Sequence, residues 1–172
     1  MIKNNIRRES YLKFLNTWKN RDLIKVLSGV RRSGKSTLLA MFQQDLKEQG
    51  VQDENIIAIN FEYMEFEELT DYRKLHDYVL SKVDKNKKNY VFLDEIQHVQ
   101  NFEKVVDSLY IRDYIDLYIT GSNAFFLSGE LATLLTGRYI EQHVLPLSFQ
   151  EFKQWHTENN PTIQQLSNRD LY

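Results

Sequence analysis

Continuous apolar runs alternate along the chain with stretches in which apolar residues recur every three or four positions. Five of these runs have the length of a strand, at 23–28, 56–61, 90–93, 117–120 and 139–145. The helical spacing predicts helices over 38–46, 69–83, 102–109 and 125–135. Apolar runs without alternation are typical of strands buried on both faces, so the pattern predicts an α/β fold with a parallel sheet covered on both sides.

The end of the chain has a different pattern. Phe149, Phe152 and Trp155 recur at helical spacing and predict a packing helix, after which the sequence turns polar. We therefore predict a compact domain over residues 1–156. Residues 157–172 are predicted to be a polar linker or the stub of a further C-terminal region.

Composition narrows the class of protein. The 172 residues include no cysteine, which excludes disulfide frameworks, thiolate zinc sites and cysteine nucleophiles. No stretch approaches the roughly 20 consecutive apolar residues of a membrane span, and the amino terminus lacks the apolar core of a secretory signal. We expect a soluble cytoplasmic protein with no membrane partner.

The net charge of −2 hides an asymmetry between the two ends of the chain. Residues 1–35 carry ten Lys and Arg against two Asp and Glu, whereas residues 53–77 carry eight carboxylates. A basic segment can attract a nucleotide or a nucleic acid, but most such runs are solvated helix faces. Nucleic acid therefore stays open as a partner without being favoured.

A phosphate-binding pattern stands between the first predicted strand and the first predicted helix. The sequence Gly29-Val-Arg-Arg-Ser-Gly-Lys-Ser36 matches G-x-x-x-x-G-K-[ST], the P-loop, in the strand-loop-helix context that the motif requires. Lys35 is predicted to reach the β- and γ-phosphates, and the Ser36 hydroxyl to ligate Mg²⁺. The backbone that would surround the phosphates belongs to Gly29, Val30, Arg31, Arg32, Ser33, Gly34, Lys35, Ser36 and Thr37.

Two consecutive carboxylates end the third predicted strand. Asp94 is predicted to hold Mg²⁺, and Glu95 to polarise the attacking water as general base. The second carboxylate favours hydrolysis over simple nucleotide binding. Adenine is favoured over guanine because 86–89 and 94–97 match the guanine and switch motifs of GTPases only in part.

Polar residues also follow the fourth predicted strand, in Thr120-Gly-Ser-Asn123. A side chain there can orient the hydrolytic water or contact the γ-phosphate. Thr120 and Ser122 are ranked ahead of Asn123, and ordinary turn chemistry remains the alternative.

Together these pieces resemble the AAA+ class of ATPases, and more narrowly the predicted bacterial and archaeal ATPases that carry an AAA domain before a C-terminal domain of unknown function. The resemblance covers roughly residues 5–155. It rests on the P-loop and on four further segments, Leu93-Asp-Glu-Ile-Gln97, Thr120-Gly-Ser122, Gly137-Arg138 and Leu145-Pro-Leu-Ser-Phe-Gln-Glu-Phe152.

The resemblance implies a three-layer P-loop NTPase sandwich with sheet order 5-1-4-3-2. It implies ATP and Mg²⁺ as cofactors, ATP hydrolysis as the activity, and Arg138 as an arginine finger, acting within one chain or between copies of a homo-oligomer. Such proteins usually continue into a helical lid, so we expect weak turnover from this chain. The alternative is an ATP-gated module with negligible turnover that recruits DNA or an unknown protein client.

Overall fold

A computed structural model describes residues 6–122, 135 and 137–159. The predicted helix over 125–135 and Asn123 lie outside these residues, apart from Leu135. The helices are α1 Glu9–Trp18, α2 Lys35–Glu48, α3 Tyr72–Lys82, α4 Phe102–Tyr110 and α5 Phe149–Asn159. The strands are β1 Ile24–Ser28, β2 Ile56–Asn60, β3 Asn89–Asp94, β4 Ile115–Gly121 and β5 Tyr139–His143. Short 3₁₀ helices occupy Asp53–Asn55, Met64–Thr70 and Ile96–His98.

The five strands form one parallel sheet in the order β2-β3-β4-β1-β5. This is the predicted order 5-1-4-3-2 counted from the other edge, so the fold prediction is confirmed. Three strands, β3, β4 and β1, have strand neighbours on both sides. Since every strand runs the same way, the carboxyl ends of β1, β2, β3 and β4 meet at one edge of the sheet.

Helices cover both faces of the sheet. Successive strand residues face opposite sides, and Val26 and Leu27 accordingly belong to two separate clusters of buried side chains. The first cluster joins the sheet to α3 and α4, and the second joins it to α1 and α2. The molecule is thus a three-layer α/β sandwich.

Several elements have bounds that differ from the sequence prediction, and two of these differences have a clear physical reason. Helix α3 begins at Tyr72 rather than at 69, because the Asp71 carboxylate caps it by accepting hydrogen bonds from the amides of residues 73 and 74 at 2.9 and 3.1 Å. Strand β5 ends at His143, shortly before Pro146, which has no N–H to continue a ladder. Among the described residues, no helix is long and apolar enough to cross a bilayer.

A buried ion pair fastens the amino ends of β1 and β4. The Lys25 ammonium contacts the Asp116 carboxylate, and both side chains are almost completely inaccessible. Asp116 also accepts hydrogen bonds from the Tyr118 hydroxyl at 2.8 Å and the Asn20 amide at 2.9 Å. Burial lowers the pKa of Lys25, and the Asp116 charge opposes that shift.

We expect Asp116→Asn to lower the free energy of unfolding by about 3 kcal/mol, because it leaves a buried ammonium without its counter-charge. Urea unfolding followed by circular dichroism measures this loss. The matched control is Asp53→Asn, which removes an exposed partner of Lys47 and should cost less than about 1 kcal/mol. Equal losses in both variants would mean that the Lys25–Asp116 pair contributes no more than a surface pair.

Candidate functional site

The P-loop connects β1 to α2 at the carboxyl edge of the sheet. Arg32 and Gly34 have φ angles of 66° and 98°, in the left-handed region, so the backbone turns sharply on either side of Ser33. A Cβ on Gly29 would lie 2.4 Å from the Val144 carbonyl oxygen, so the loop passes too close to the segment after β5 for any other residue.

Lys35 is the first residue of α2 and is only 3% exposed. Its ammonium lies 3.2 Å from the Gly29 carbonyl, 3.4 Å from the Val30 carbonyl and 3.2 Å from the Glu95 carboxylate. The cavity in front of this ammonium measures about 290 Å³. Its lining residues are Arg31, Arg32, Gly34, Lys35, Ser36, Thr37, Glu62 and Glu95.

Asp94, the last residue of β3, is 6% exposed and receives hydrogen bonds from neighbouring elements. Asn60 at the end of β2 donates to Oδ2 at 2.9 Å, and the Thr120 hydroxyl of β4 donates to Oδ1. Burial raises the pKa of Asp94, while hydrogen bonds from Ser36 and Thr120 partly offset that rise. The structure therefore brings Ser36, Asp94 and Thr120 together.

Glu95 adopts the left-handed conformation, with φ of 59°. This is a strained geometry for a residue other than glycine, and such strain is typical of functional sites. Its amide donates to the Thr120 hydroxyl oxygen at 2.9 Å, which helps to hold that turn. The carboxylate, 12% exposed, is directed toward the Lys35 ammonium and also accepts from the Gln97 side chain at 2.5 Å.

Ser122 follows β4 directly and is half-buried at the same edge. Thr120, by contrast, contacts both Asp94 and Glu95. Of the two sensor candidates, Thr120 is therefore the one that the structure places in contact with both Asp94 and Glu95.

Arg138 lies where the strands begin, at the amino ends of the sheet and opposite the carboxyl ends that carry the P-loop. Its carbonyl accepts from the amide of Ile24, the first residue of β1, at 2.8 Å, whereas the P-loop follows Ser28, the last. The first and last residues of this five-residue strand lie about 13 Å apart, which exceeds the length of an arginine side chain. The Arg138 guanidinium instead pairs with Asp107 of α4, so the structure does not bring Arg138 to Lys35 within one chain.

Sequence reasoning missed two polar residues at the site. Asn60 lies beside Asp94 in the register of β2 and β3, and Glu62 lines the cavity and contacts Arg31 at 3.3 Å. Polar residues just after an apolar run are the signal for both, because every strand of a parallel sheet ends at the same edge.

Sequence comparison identifies relatives of this chain. A family described as "AAA domain" matches residues 21–153. A protein from Haemophilus influenzae, named "Uncharacterized protein", is 47% identical over 153 residues, which are 88% of this chain and 38% of that protein. The chain therefore spans less than half the length of that curated relative.

Comparison of structures supports the same fold. ORC1 of Aeropyrum pernix, solved in complex with DNA, matches with a TM-score of 0.62 and 12% identity, over 93% of this chain and 51% of that one. AMPPCP-bound DnaA from Aquifex aeolicus matches with a TM-score of 0.59 and 15% identity, over 95% and 54%. Such low identities show the fold alone, whereas the family match covers most of the sequence. The chain belongs to the AAA domain family of P-loop ATPases.

Proposed function

We propose that this chain binds ATP with Mg²⁺ and hydrolyses it. One observation carries the proposal. At the carboxyl edge of the sheet, the buried P-loop lysine lies beside two carboxylate residues at the end of β3. Lys35 and Glu95 lie 3.2 Å apart, and Asp94 precedes Glu95 in the chain. P-loop hydrolysis depends on positioning and charge neutralisation, which this arrangement can supply.

The phosphates would lie in the cavity that the P-loop lines. Amide groups at the start of α2, together with the positive end of the helix dipole, favour an anion there. The Lys35 ammonium would turn from the carbonyls of Gly29 and Val30 to the β- and γ-phosphate oxygens. Arg31 and Arg32 add positive charge at the mouth of the cavity.

The oxygen atoms beside the P-loop suit Mg²⁺. Ser36 and Asp94 present a hydroxyl and a carboxylate, and Mg²⁺ is usually held by one or two such protein oxygens together with phosphates and water. When bound, Mg²⁺ would neutralise charge that develops on the phosphates. Asn60 and Thr120 keep the Asp94 carboxylate in place through their hydrogen bonds.

Glu95 is the proposed general base. The strained turn brings its carboxylate next to the Lys35 ammonium, where the γ-phosphate and the attacking water would meet. Thr120 is the proposed sensor, because its hydroxyl connects the amide of Glu95 to the carboxylate of Asp94. Ser122, two residues further along the chain, is the second candidate for that role.

Arg138 can serve as an arginine finger only for the site of another copy. It lies across the sheet from its own P-loop and is half-exposed on the surface. We therefore propose a homo-oligomer in which this edge of one chain approaches the nucleotide of its neighbour.

The test is ATP turnover per chain, measured with Mg²⁺ at increasing protein concentration. We expect the rate per chain to rise with concentration, and Arg138→Ala to lower it by about 10³-fold, the lower end of arginine-finger effects. Mixing Arg138→Ala with Lys35→Ala should restore turnover, since one variant supplies the site and the other the finger. A concentration-independent rate that Arg138→Ala leaves unchanged would contradict the finger role.

The second candidate function is an ATP-gated interaction module. It is supported by the contacts of Glu95, whose two carboxylate oxygens are engaged by Lys35 and Gln97. ATP binding with no turnover above that of Glu95→Gln would favour this function. Its partner would be a protein client or, less favoured, DNA, whose binding would weaken steeply as salt rises.

A further inference from the structure

Arg8, just before α1, has a guanidinium that connects distant parts of the chain. The residue is 8% exposed, so its charge is largely withdrawn from water. Its Nε donates to a carboxylate oxygen at 2.8 Å, and Nη1 donates to two carbonyl oxygens at 2.8 and 3.3 Å. The residues that provide these oxygens are Glu151, Leu145 and Ser33.

The hydrogen bond to the Ser33 carbonyl connects Arg8 to the backbone of the P-loop. Ser33 lies between Arg32 and Gly34, the two residues of the loop in the left-handed region. The carbonyl of Ser33 and the amide of Gly34 belong to one planar trans peptide unit, so they point in opposite directions. Because the carbonyl is held by Arg8, the Gly34 amide is turned away from Arg8.

The other contacts of Arg8 fix the guanidinium itself. Glu151 accepts from Arg8 and also from the amide of Ser148, at 2.7 Å, within the first turn of α5. The Ser148 hydroxyl accepts in return from the Glu151 amide at 3.2 Å, which makes a capping box. Arg8 is therefore paired with a carboxylate that is itself held by the start of a helix.

Tyr11 completes the surroundings of Arg8 on the α1 side. The guanidinium carbon lies 4.4 Å from the centre of the Tyr11 ring, a cation–π contact. The Tyr11 hydroxyl accepts from the amide of Leu145 at 3.3 Å. In the segment after β5, the Leu145 amide is therefore bound by Tyr11 and the Leu145 carbonyl by Arg8.

We propose that Arg8 is a positioning residue for the phosphate-binding loop, which orients the Ser33–Gly34 peptide so that the Gly34 amide faces the phosphates. The inference rests on the proposed function. Arginine suits this role because its planar group donates in several directions at once, whereas a lysine ammonium cannot hold the same set of oxygens in fixed geometry. The pairing with Glu151 also makes the loop geometry depend on where α5 lies.

A purely structural role for Arg8 predicts something different. If the guanidinium only fastened α1 to α5, its loss would reduce stability without changing the conformation of the loop or its affinity for ATP. Arg7 provides the matched control. It is the neighbouring arginine, and its guanidinium forms a two-pronged ion pair with Asp45 of α2 at 2.8 Å, outside the P-loop.

The first measurement is equilibrium binding of Mg·ATP to wild type, Arg8→Ala, Arg8→Lys and Arg7→Ala. We expect Arg8→Ala to weaken binding by about tenfold to a hundredfold, the effect of losing one hydrogen bond to a charged group, here that of the Gly34 amide to a phosphate. Arg8→Lys should also weaken binding, although it keeps the charge, and Arg7→Ala should bind like wild type. If the alanine variant does not fold, the affinity of Arg8→Lys for Mg·ATP still tests the proposal.

The second measurement does not depend on nucleotide. In ¹⁵N NMR spectra, the Gly34 amide resonance should shift in Arg8→Ala and Arg8→Lys and stay in place in Arg7→Ala. Wild-type affinity and an unmoved Gly34 resonance in both Arg8 variants would overturn the inference. The proposed function fails separately, if wild type binds no ATP or if Lys35→Ala binds it as well as wild type.

Discussion

Lys35→Ala is expected to abolish measurable ATP binding, with a loss of affinity of at least about a hundredfold. Lys35 is 3% exposed, so its charge would act on bound phosphates with little screening by water. Its removal has a second effect, because the Glu95 carboxylate loses its partner and faces the phosphates as a repelling charge. Isothermal titration calorimetry with Mg·ATP measures the loss.

Two further variants separate these contributions. Lys47→Ala removes a lysine from the other end of α2, where it pairs with exposed Asp53, and should bind ATP like wild type. The double variant Lys35→Ala/Glu95→Gln should bind more tightly than Lys35→Ala, because it removes the unpaired carboxylate. Wild-type affinity in Lys35→Ala would show that the P-loop does not bind phosphate.

Glu95→Gln is expected to stop turnover while ATP binding persists. The amide keeps the size of the side chain but cannot accept a proton, and loss of a general base typically costs about 10²- to 10⁴-fold in rate. Affinity should stay level or rise, because the substitution removes a negative charge 3.2 Å from the Lys35 ammonium. The measurement is phosphate release in single-turnover conditions, beside an ATP titration.

The matched control for this variant is Glu54→Gln, an exposed carboxylate in the 3₁₀ helix before β2. It should change neither rate nor affinity. Turnover that persists at the wild-type rate in Glu95→Gln would assign the base role to another residue. Glu62, which also lines the cavity, would then be the next carboxylate to replace.

The sequence was sufficient for those parts of the site that are local in the chain. The P-loop combines a strand, a loop and a helix start within 13 residues, so its chemistry and its context can be read together. Asp94 and Glu95 end a fully buried strand. The order of strands came from family resemblance, because apolar runs show that strands pair but not which of them are neighbours.

Contacts between distant segments were not predictable from the sequence. Arg8 and Glu151 are 143 positions apart, and the helical spacing in 149–155 pointed only to packing. Asn60 becomes a candidate site residue only through the pairing of β2 with β3, which puts it beside Asp94. Arg138 directly precedes β5, so its place depends on where that strand begins. Neither an arginine nor the glycine before it indicates whether that point lies near the P-loop or at the other end of the strands.

The position of β4 has a consequence for the growing chain. Both nucleotide motifs, the P-loop and the Asp94-Glu95 pair, precede β4 in the sequence, yet β4 lies between β1 and β3 in the sheet. A nascent chain that ends before residue 115 therefore carries both motifs without the strand that joins them. We expect the two motifs to come together as one site only after β4 has left the ribosome and inserted between its two neighbours.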